Sequence, residues 1–175
     1  MSERIYPDDP VDPFPEPPIR FDDHEGRAIT IGASGAEDFE SLVEMYRAFD
    51  PADRAQGIPP IDEAAIRDWL EVLLDDDAIN VAARHDDSVV GHAILVPDQH
   101  EAFELAVFVL GEFQGAGIGT RLLKGLLGQG RREGVEKVWL TVERWNKPAK
   151  NLYQKLGFET SNAESFELEM AIRLA

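Results

Sequence analysis

No cysteine occurs among the 175 residues. That absence removes disulfides, thiolate metal sites and a covalent acyl-cysteine intermediate. Long apolar runs are missing too. Stretches such as Leu105–Leu110 fall far short of the ~20 residues needed to span a bilayer, so no membrane partner is expected. The chain opens with Ser2, Glu3, Arg4 and then prolines, not a basic stretch leading into an apolar run. A secretory signal is therefore not expected, and the cytoplasm is the default location. His24, His85, His92 and His100 show no metal-ligand spacing, so no metal is expected.

Positive charge is scarce. Seventeen Lys and Arg face thirty-four Asp and Glu, a net charge of −17, which excludes a surface built for nucleic acid. Two roles for the acid compete: solubility in concentrated salt, which is preferred here, and attraction of a cationic substrate. The length suits one domain with a sizeable core, as a monomer or homodimer.

Residues 1–25 are rich in proline and acid, and are expected to form an extended or disordered tail before a domain at 26–175. Within it, Ile19-Arg20-Phe21 suits an edge strand, returning through Asp22–Gly26 into a strand at Arg27–Ile31. Ser34 with Glu37 three residues on has capping-box spacing. Ala36–Phe49 then carries Phe39, Leu42, Val43, Tyr46 and Phe49 on one helical face. After a break at Pro51–Pro60, a second helix is expected at Asp62–Leu74. Strands are expected at Ile79–Arg84, Val89–Val96 and Phe103–Leu110. They precede a helix at Ile118–Arg132, a strand at Lys137–Val142, a helix at Pro148–Leu156 and strands near Phe158–Glu159 and Phe166–Arg173. The fold class is α/β (α+β): a mixed, partly antiparallel sheet of about seven strands flanked by about four helices.

Chemistry concentrates at Gln114-Gly115-Ala116-Gly117-Ile118-Gly119-Thr120, between a strand and an amphipathic helix. Glycines admit a ligand close to the main chain. The helix start presents unpaired N–H groups and the positive end of a dipole, a combination suited to a diphosphate. A Walker loop would need Lys before the Thr, and here Gly119 precedes Thr120 directly. A dinucleotide fingerprint has different glycine spacing and an earlier place in the chain. A helix entry that uses small residues only for packing remains the plain alternative.

The pattern Gln114-x-x-Gly117-x-Gly119 resembles the R/Q-x-x-G-x-G/A signature of Gcn5-related N-acetyltransferases (GNAT). Asn146-Lys147-Pro148-Ala149-Lys150-Asn151-Leu152-Tyr153-Gln154-Lys155-Leu156-Gly157-Phe158 resembles the family's second motif, one helix and one strand downstream. The resemblance implies a pantetheine arm of acetyl-CoA lying against the main chain of Val107, Phe108 and Val109. It also implies a diphosphate on the N–H groups of Gly115, Ala116, Gly117, Ile118, Gly119 and Thr120, with Asn146, Ala149, Lys150 and Tyr153 beside the cofactor. The activity implied is acetyl transfer to an amine acceptor, a small amine, a peptide terminus or a protein lysine. A non-catalytic acyl-CoA-binding module is the alternative.

An aliphatic amine of pKa ~10.4 is neutral in only about one molecule in ~2,500 at pH 7, so transfer needs a base. Glu104 stands in a register similar to that of the base in bacterial protein-lysine acetyltransferases of this family, against the plain reading of a solvated strand residue. Glu143 is the second candidate. The branch that acetylates a ribosomal protein carries a Glu where this chain has Thr141, a departure from that branch. Tyr153 matches the family's general acid for the departing thiolate. The resemblance also places the oxyanion near N–H groups of Val107–Val109.

Overall fold

The structure, a computed structural model, describes residues 4–50, 52, 58–163 and 167–175. Among them eight strands form one sheet: β1 (Ile19–Asp22), β2 (Ala28–Ser34), β3 (Ile79–His85), β4 (Ser88–Pro97), β5 (Phe103–Val109), β6 (Lys137–Glu143), β7 (Glu159–Ala163) and β8 (Glu167–Arg173). Four α-helices accompany it: α1 (Phe39–Arg47), α2 (Glu63–Leu73), α3 (Ile118–Arg132) and α4 (Lys147–Leu156). The sheet order is β1-β2-β3-β4-β5-β6-β8-β7. All neighbours are antiparallel except β5 and β6. The sheet thus has eight strands rather than about seven, and the edge strand expected at Ile19–Phe21 is present as β1, whose Phe21 pairs with Ile29. Phe166 and most of the Pro51–Pro60 break lie outside the described residues.

Alternation along the strands divides the core into two layers. On one face Leu95, Leu105, Val138, Leu140, Met170 and Ile172 meet the apolar stripe of α3 (Ile118, Leu122, Leu123, Leu126) and α4 (Tyr153, Leu156). On the other, Ala82 and Val89 meet Leu42, Val43 and Tyr46 of α1 and Ile66 and Leu70 of α2. That second layer contains a buried polar chain. Asn80 donates through Nδ2 to the Leu73 carbonyl (2.8 Å), leaving Oδ1 to accept from His92 Nε2 (2.7 Å). His92 Nδ1 then accepts from the Tyr46 hydroxyl at 2.6 Å. Complete burial pushes the imidazole down to about 3, so it serves as a neutral bridge.

Two local expectations shift by a few residues. Ser34 does not cap a helix. It stays in the β2–β3 ladder opposite Asn80, and its hydroxyl donates to Asp38 at 2.9 Å; a 3-10 turn at Ala36–Asp38 then leads into α1. Asp62 is instead the N-cap of α2, accepting from the Ala65 N–H.

Residues 4–18 contain no helix or strand, yet they lie along the domain. The Val11 N–H donates to the Arg173 carbonyl at 3.0 Å, and Arg173 Nε donates to the Pro7 carbonyl at 2.7 Å. Val11 and Phe14 pack on the first core layer. Arg132 pairs with Glu16 at 3.3 Å. The segment passes so near α3 that a side chain at Gly128 would run into the Pro15 carbonyl.

Candidate active site

The single parallel pair sets up the site. β5 is bonded to β4 along its whole length, from Phe103 opposite Pro97 to Val109 opposite Gly91. Against β6 only two rungs form, Phe103 with Val138 and Glu104 with Trp139. Beyond Glu104 the two strands part, opening a wedge whose vertex is that residue.

The Leu110 N–H donates to Val90 on β4, so backbone alternation turns Val107 and Val109 toward the wedge and Phe108 toward β4. Phe108 is therefore placed differently from its two neighbours. Its ring lies edge-on to Tyr46 and Trp69 in the second core layer, with centroids 5.6 Å away in both cases. The Val109 carbonyl is met by Gln114 Nε2 at 2.9 Å. That contact gives the motif's glutamine a defined job: it ties the end of β5 to the start of the glycine turn.

The turn relies on glycine for its backbone path. Gly115 and Gly117 have φ of +73° and +90°, values that side chains oppose. The first bond of the helix is the Arg121 N–H to the Gly117 carbonyl at 3.4 Å. Upstream, Gln114 N–H meets the Gly111 carbonyl at 3.2 Å. Between these, no acceptor among the described residues meets the N–H groups of Gly115, Ala116, Gly117, Ile118, Gly119 and Thr120. Such consecutive donors at a helix start suit an anion. The buried side chains of Ala116 and Ile118 root this run in the core.

Alongside lies a cleft of about 520 Å³ between α3 and α4, lined by Thr120, Lys124, Pro148, Asn151, Leu152 and Lys155. Two of the chain's few lysines face it. Asn146 is the N-cap of α4, its side-chain oxygen accepting from the Ala149 N–H at 3.3 Å. Asn146 and Ala149 are thus joined by the cap, and only the amide NH2 of Asn146 is left to donate elsewhere. Lys150, one residue on, is half-buried.

Tyr153 projects from α4 into the first core layer, its ring 5.7 Å from that of Phe158. Burial pushes its hydroxyl up to about 12, so it stays protonated. No hydrogen-bond partner for that hydroxyl occurs among the described residues.

Glu104 is on the opposite face. Because Glu104 and Trp139 share a rung, the residues Trp139, Thr141 and Glu143 of β6 and Glu167 and Glu169 of β8 share that face. Glu143 lies four residues farther along, roughly 13 Å at strand spacing, and pairs with Glu167. Partial desolvation raises the Glu104 carboxyl above the ordinary range. Arg4 opposes that rise, and Asp98 and Glu169 add to it. Arg4 and Trp139 are site neighbours that pattern reading missed. The Arg4 guanidinium stacks 3.4 Å over the Trp139 ring and pairs with Glu169 at 3.2 Å. The indole in turn donates to Asp98 at 2.9 Å. No motif surrounds these residues; only the fold assembles them.

No group of three or more metal-binding side chains occurs among the described residues. No helix among them is long and apolar enough to cross a membrane.

A strand pair thus opens at Glu104 and leads into a donor-lined turn. The chain belongs to the acetyltransferase (GNAT) family, whose model matches residues 39–158. It is similar to an uncharacterised N-acetyltransferase of Mycobacterium tuberculosis, 31% identical over 101 residues, covering 57% of this chain and 65% of that protein. It is also similar to the [ribosomal protein bS18]-alanine N-acetyltransferase of Haemophilus influenzae, 34% identical over 80 residues, covering 46% and 54%. The chain thus spans somewhat less than two thirds of these curated relatives. Among solved structures, yncA of Salmonella typhimurium with acetyl-CoA superposes with a TM-score of 0.69 at 20% identity, covering 84% and 94%. At that identity the likeness is one of fold.

Proposed function

We propose that this chain is an N-acetyltransferase that moves an acetyl group from acetyl-CoA to a primary amine by direct transfer within a ternary complex. The observation that carries the reading is the continuity of the wedge at Glu104 with the unpaired N–H groups of Gly115–Thr120. One end suits a thin, amide-bearing chain and the other a diphosphate. The cleft with Lys124 and Lys155 offers cations for further phosphate.

Bound acetyl-CoA supplies an activated acetyl thioester. The chain supplies the rest. The main chain of Val107 and Val109 holds the amide-bearing arm as a strand would, and a free N–H there meets the charge that develops on the carbonyl oxygen. Glu104 takes the proton that an ammonium acceptor must lose before its lone pair is free; the neutral amine then forms the N–C bond as the C–S bond breaks, and the nitrogen's surplus proton passes by way of solvent to the departing thiolate. Its raised pKa suits that task better than that of an ordinary surface carboxylate. Glu143 remains the second candidate, but it lies farther from the vertex.

For Tyr153 the magnitudes choose between two roles. A hydroxyl at about 12 facing a thiol of pKa ~8.5 makes full proton transfer uphill by roughly 5 kcal/mol. The side chain therefore acts by donating a hydrogen bond to the sulfur as charge builds there, and solvent completes protonation.

The sheet face that carries Glu104 is acidic, with Glu143 and, across the ladder, Glu167 and Glu169, the last of them paired with Arg4. This supports a cationic amine over an acidic one. A thiol-release assay with acetyl-CoA against amines, polyamines, amino acids and lysine peptides tests the proposal. Turnover dependent on one amine class is expected. Tight coenzyme binding with no acceptor consumed would replace the reading with a binding module.

A further inference from the structure

Opposite the donor-lined turn lies the loop between β1 and β2, which no motif marks. Asp23 organises it. Its side chain is wholly buried. Oδ1 accepts from the N–H groups of Glu25 (3.0 Å) and Arg27 (2.9 Å), and Oδ2 accepts from Arg27 Nε at 2.7 Å. Four contacts run from this loop to the turn and the residues just before it. The His24 N–H donates to the Ala116 carbonyl at 3.0 Å. Arg27 Nη1 donates to the Glu112 carbonyl at 3.2 Å, and its guanidinium sits 4.1 Å over the Phe113 ring. The His24 imidazole lies against Gly117, where an added Cβ would stand 2.9 Å from Nε2.

Peptide planarity gives these contacts a direction. In a trans peptide the C=O and N–H point opposite ways. Holding the Ala116 carbonyl on His24 therefore aims the Gly117 N–H away from the loop. Anchoring Glu112 and Phe113 limits the hinge upstream. Gly115 and Gly117 have no side chains to do this themselves, and free glycine backbones would otherwise lose orientation entropy on binding.

We infer that the β1–β2 loop is a second wall of the coenzyme site, in which Asp23, acting through His24 and Arg27, is a positioning residue that pre-sets the glycine turn for diphosphate. The inference rests on the coenzyme reading above. It also assigns a purpose to the N-terminal hairpin, which precedes the family-matched residues 39–158.

The test compares donors with and without a diphosphate. Acetyl-CoA and S-acetylpantetheine are assayed with wild type, Asp23→Asn and His24→Ala, alongside calorimetric titration with CoA. Losing the anchored geometry should weaken CoA binding on the order of tenfold in Asp23→Asn, about the worth of one charge-assisted hydrogen bond. His24→Ala should weaken it less. Efficiency with S-acetylpantetheine should stay at the wild-type level in both. Equal losses with both donors, or unchanged CoA affinity in both variants, would overturn the inference. His24→Ala keeps the main-chain bond to Ala116 and removes only the imidazole, so Arg27→Ala, which removes the contacts to Glu112 and Phe113, carries the test if Asp23→Asn does not fold. A wild-type titration run first keeps the two claims apart, since no CoA binding there would sink the coenzyme reading itself, and this inference with it.

Discussion

On the proposed function, the two ends of the wedge would recognise their partners by different means. Toward the glycine turn the molecule offers main chain: N–H groups from Gly115 to Thr120 and the wedge-facing backbone of Val107 and Val109. Toward the proposed acceptor it offers side chains on an open sheet face: Glu104, Glu143 and Glu169. Backbone recognition constrains sequence severely, because only glycine satisfies φ of +90° at Gly117 and admits a ligand there. Side-chain recognition on an open sheet face can be built from many residues. One end is thus common to a family, and the other is free to vary with the acceptor.

The sharpest way to break this contrast is at Gly117. Gly117→Glu adds a side chain at a positive φ, against the His24 ring, and a negative charge where the diphosphate approaches. Coenzyme affinity by calorimetry should fall by more than about 100-fold, equivalent to roughly 3 kcal/mol, while circular dichroism remains native. Retained affinity would remove main-chain recognition from the account.

On the acceptor side Glu104→Gln should lower kcat by about 10²-fold or more near neutral pH. The sign of the pH effect follows from the raised carboxyl. Glu104 is the competent base only above its pKa, so wild-type turnover falls as pH drops through a point higher than that of an ordinary glutamate. That acidic limb should vanish in Glu104→Gln. Stability should move the other way, because a raised folded-state pKa penalises the charged form once pH exceeds it. The variant should therefore melt no lower than wild type at pH 8. A silent Glu104→Gln beside an impaired Glu143→Gln would transfer the role of base.

The smallest effect is expected at Tyr153, buried from α4 in the first core layer. Tyr153→Phe removes a hydroxyl with no partner among the described residues, so stability should barely change. Only kcat should fall, by roughly tenfold, at or below the low end of general-acid effects, with the Michaelis constant for acetyl-CoA nearly constant. A large rise in that constant would make the hydroxyl a binding group.

Much of the coenzyme side was legible in the sequence because local pattern and function coincide there. The Ile118–Arg132 helix follows from its apolar spacing, and the glycines before it have few other uses. Phe108 shows the limit. Its place in the strand was readable, but only the Leu110–Val90 bond reveals that its peptide turns away from the wedge. Ser34 looked like a cap because Glu37 has the right spacing, yet pairing with β3 retains it in the sheet. His24 meets Ala116 and Arg4 meets Trp139 across most of the chain, so neither contact leaves a periodic trace. The same holds for Tyr46, His92 and Asn80, whose polar chain exists only once α1 lies on β3 and β4.

The proline-rich strap also orders events in time. Its partners are Gly128 and Arg132 on α3 and Arg173 at the end of β8. During synthesis residues 4–18 leave the ribosome before the elements they dock on, and they must wait for nearly the whole of the rest of this domain before these contacts can form. Unlike α1, which can coil from its own local bonds as it emerges, the strap can dock only late. A segment rich in proline and carboxylate is well suited to that wait, because it forms neither stray helix nor sheet and resists self-association meanwhile. The composition that looks like an absence of structure thus keeps the earliest-made part of the domain harmless until its late-made bed exists.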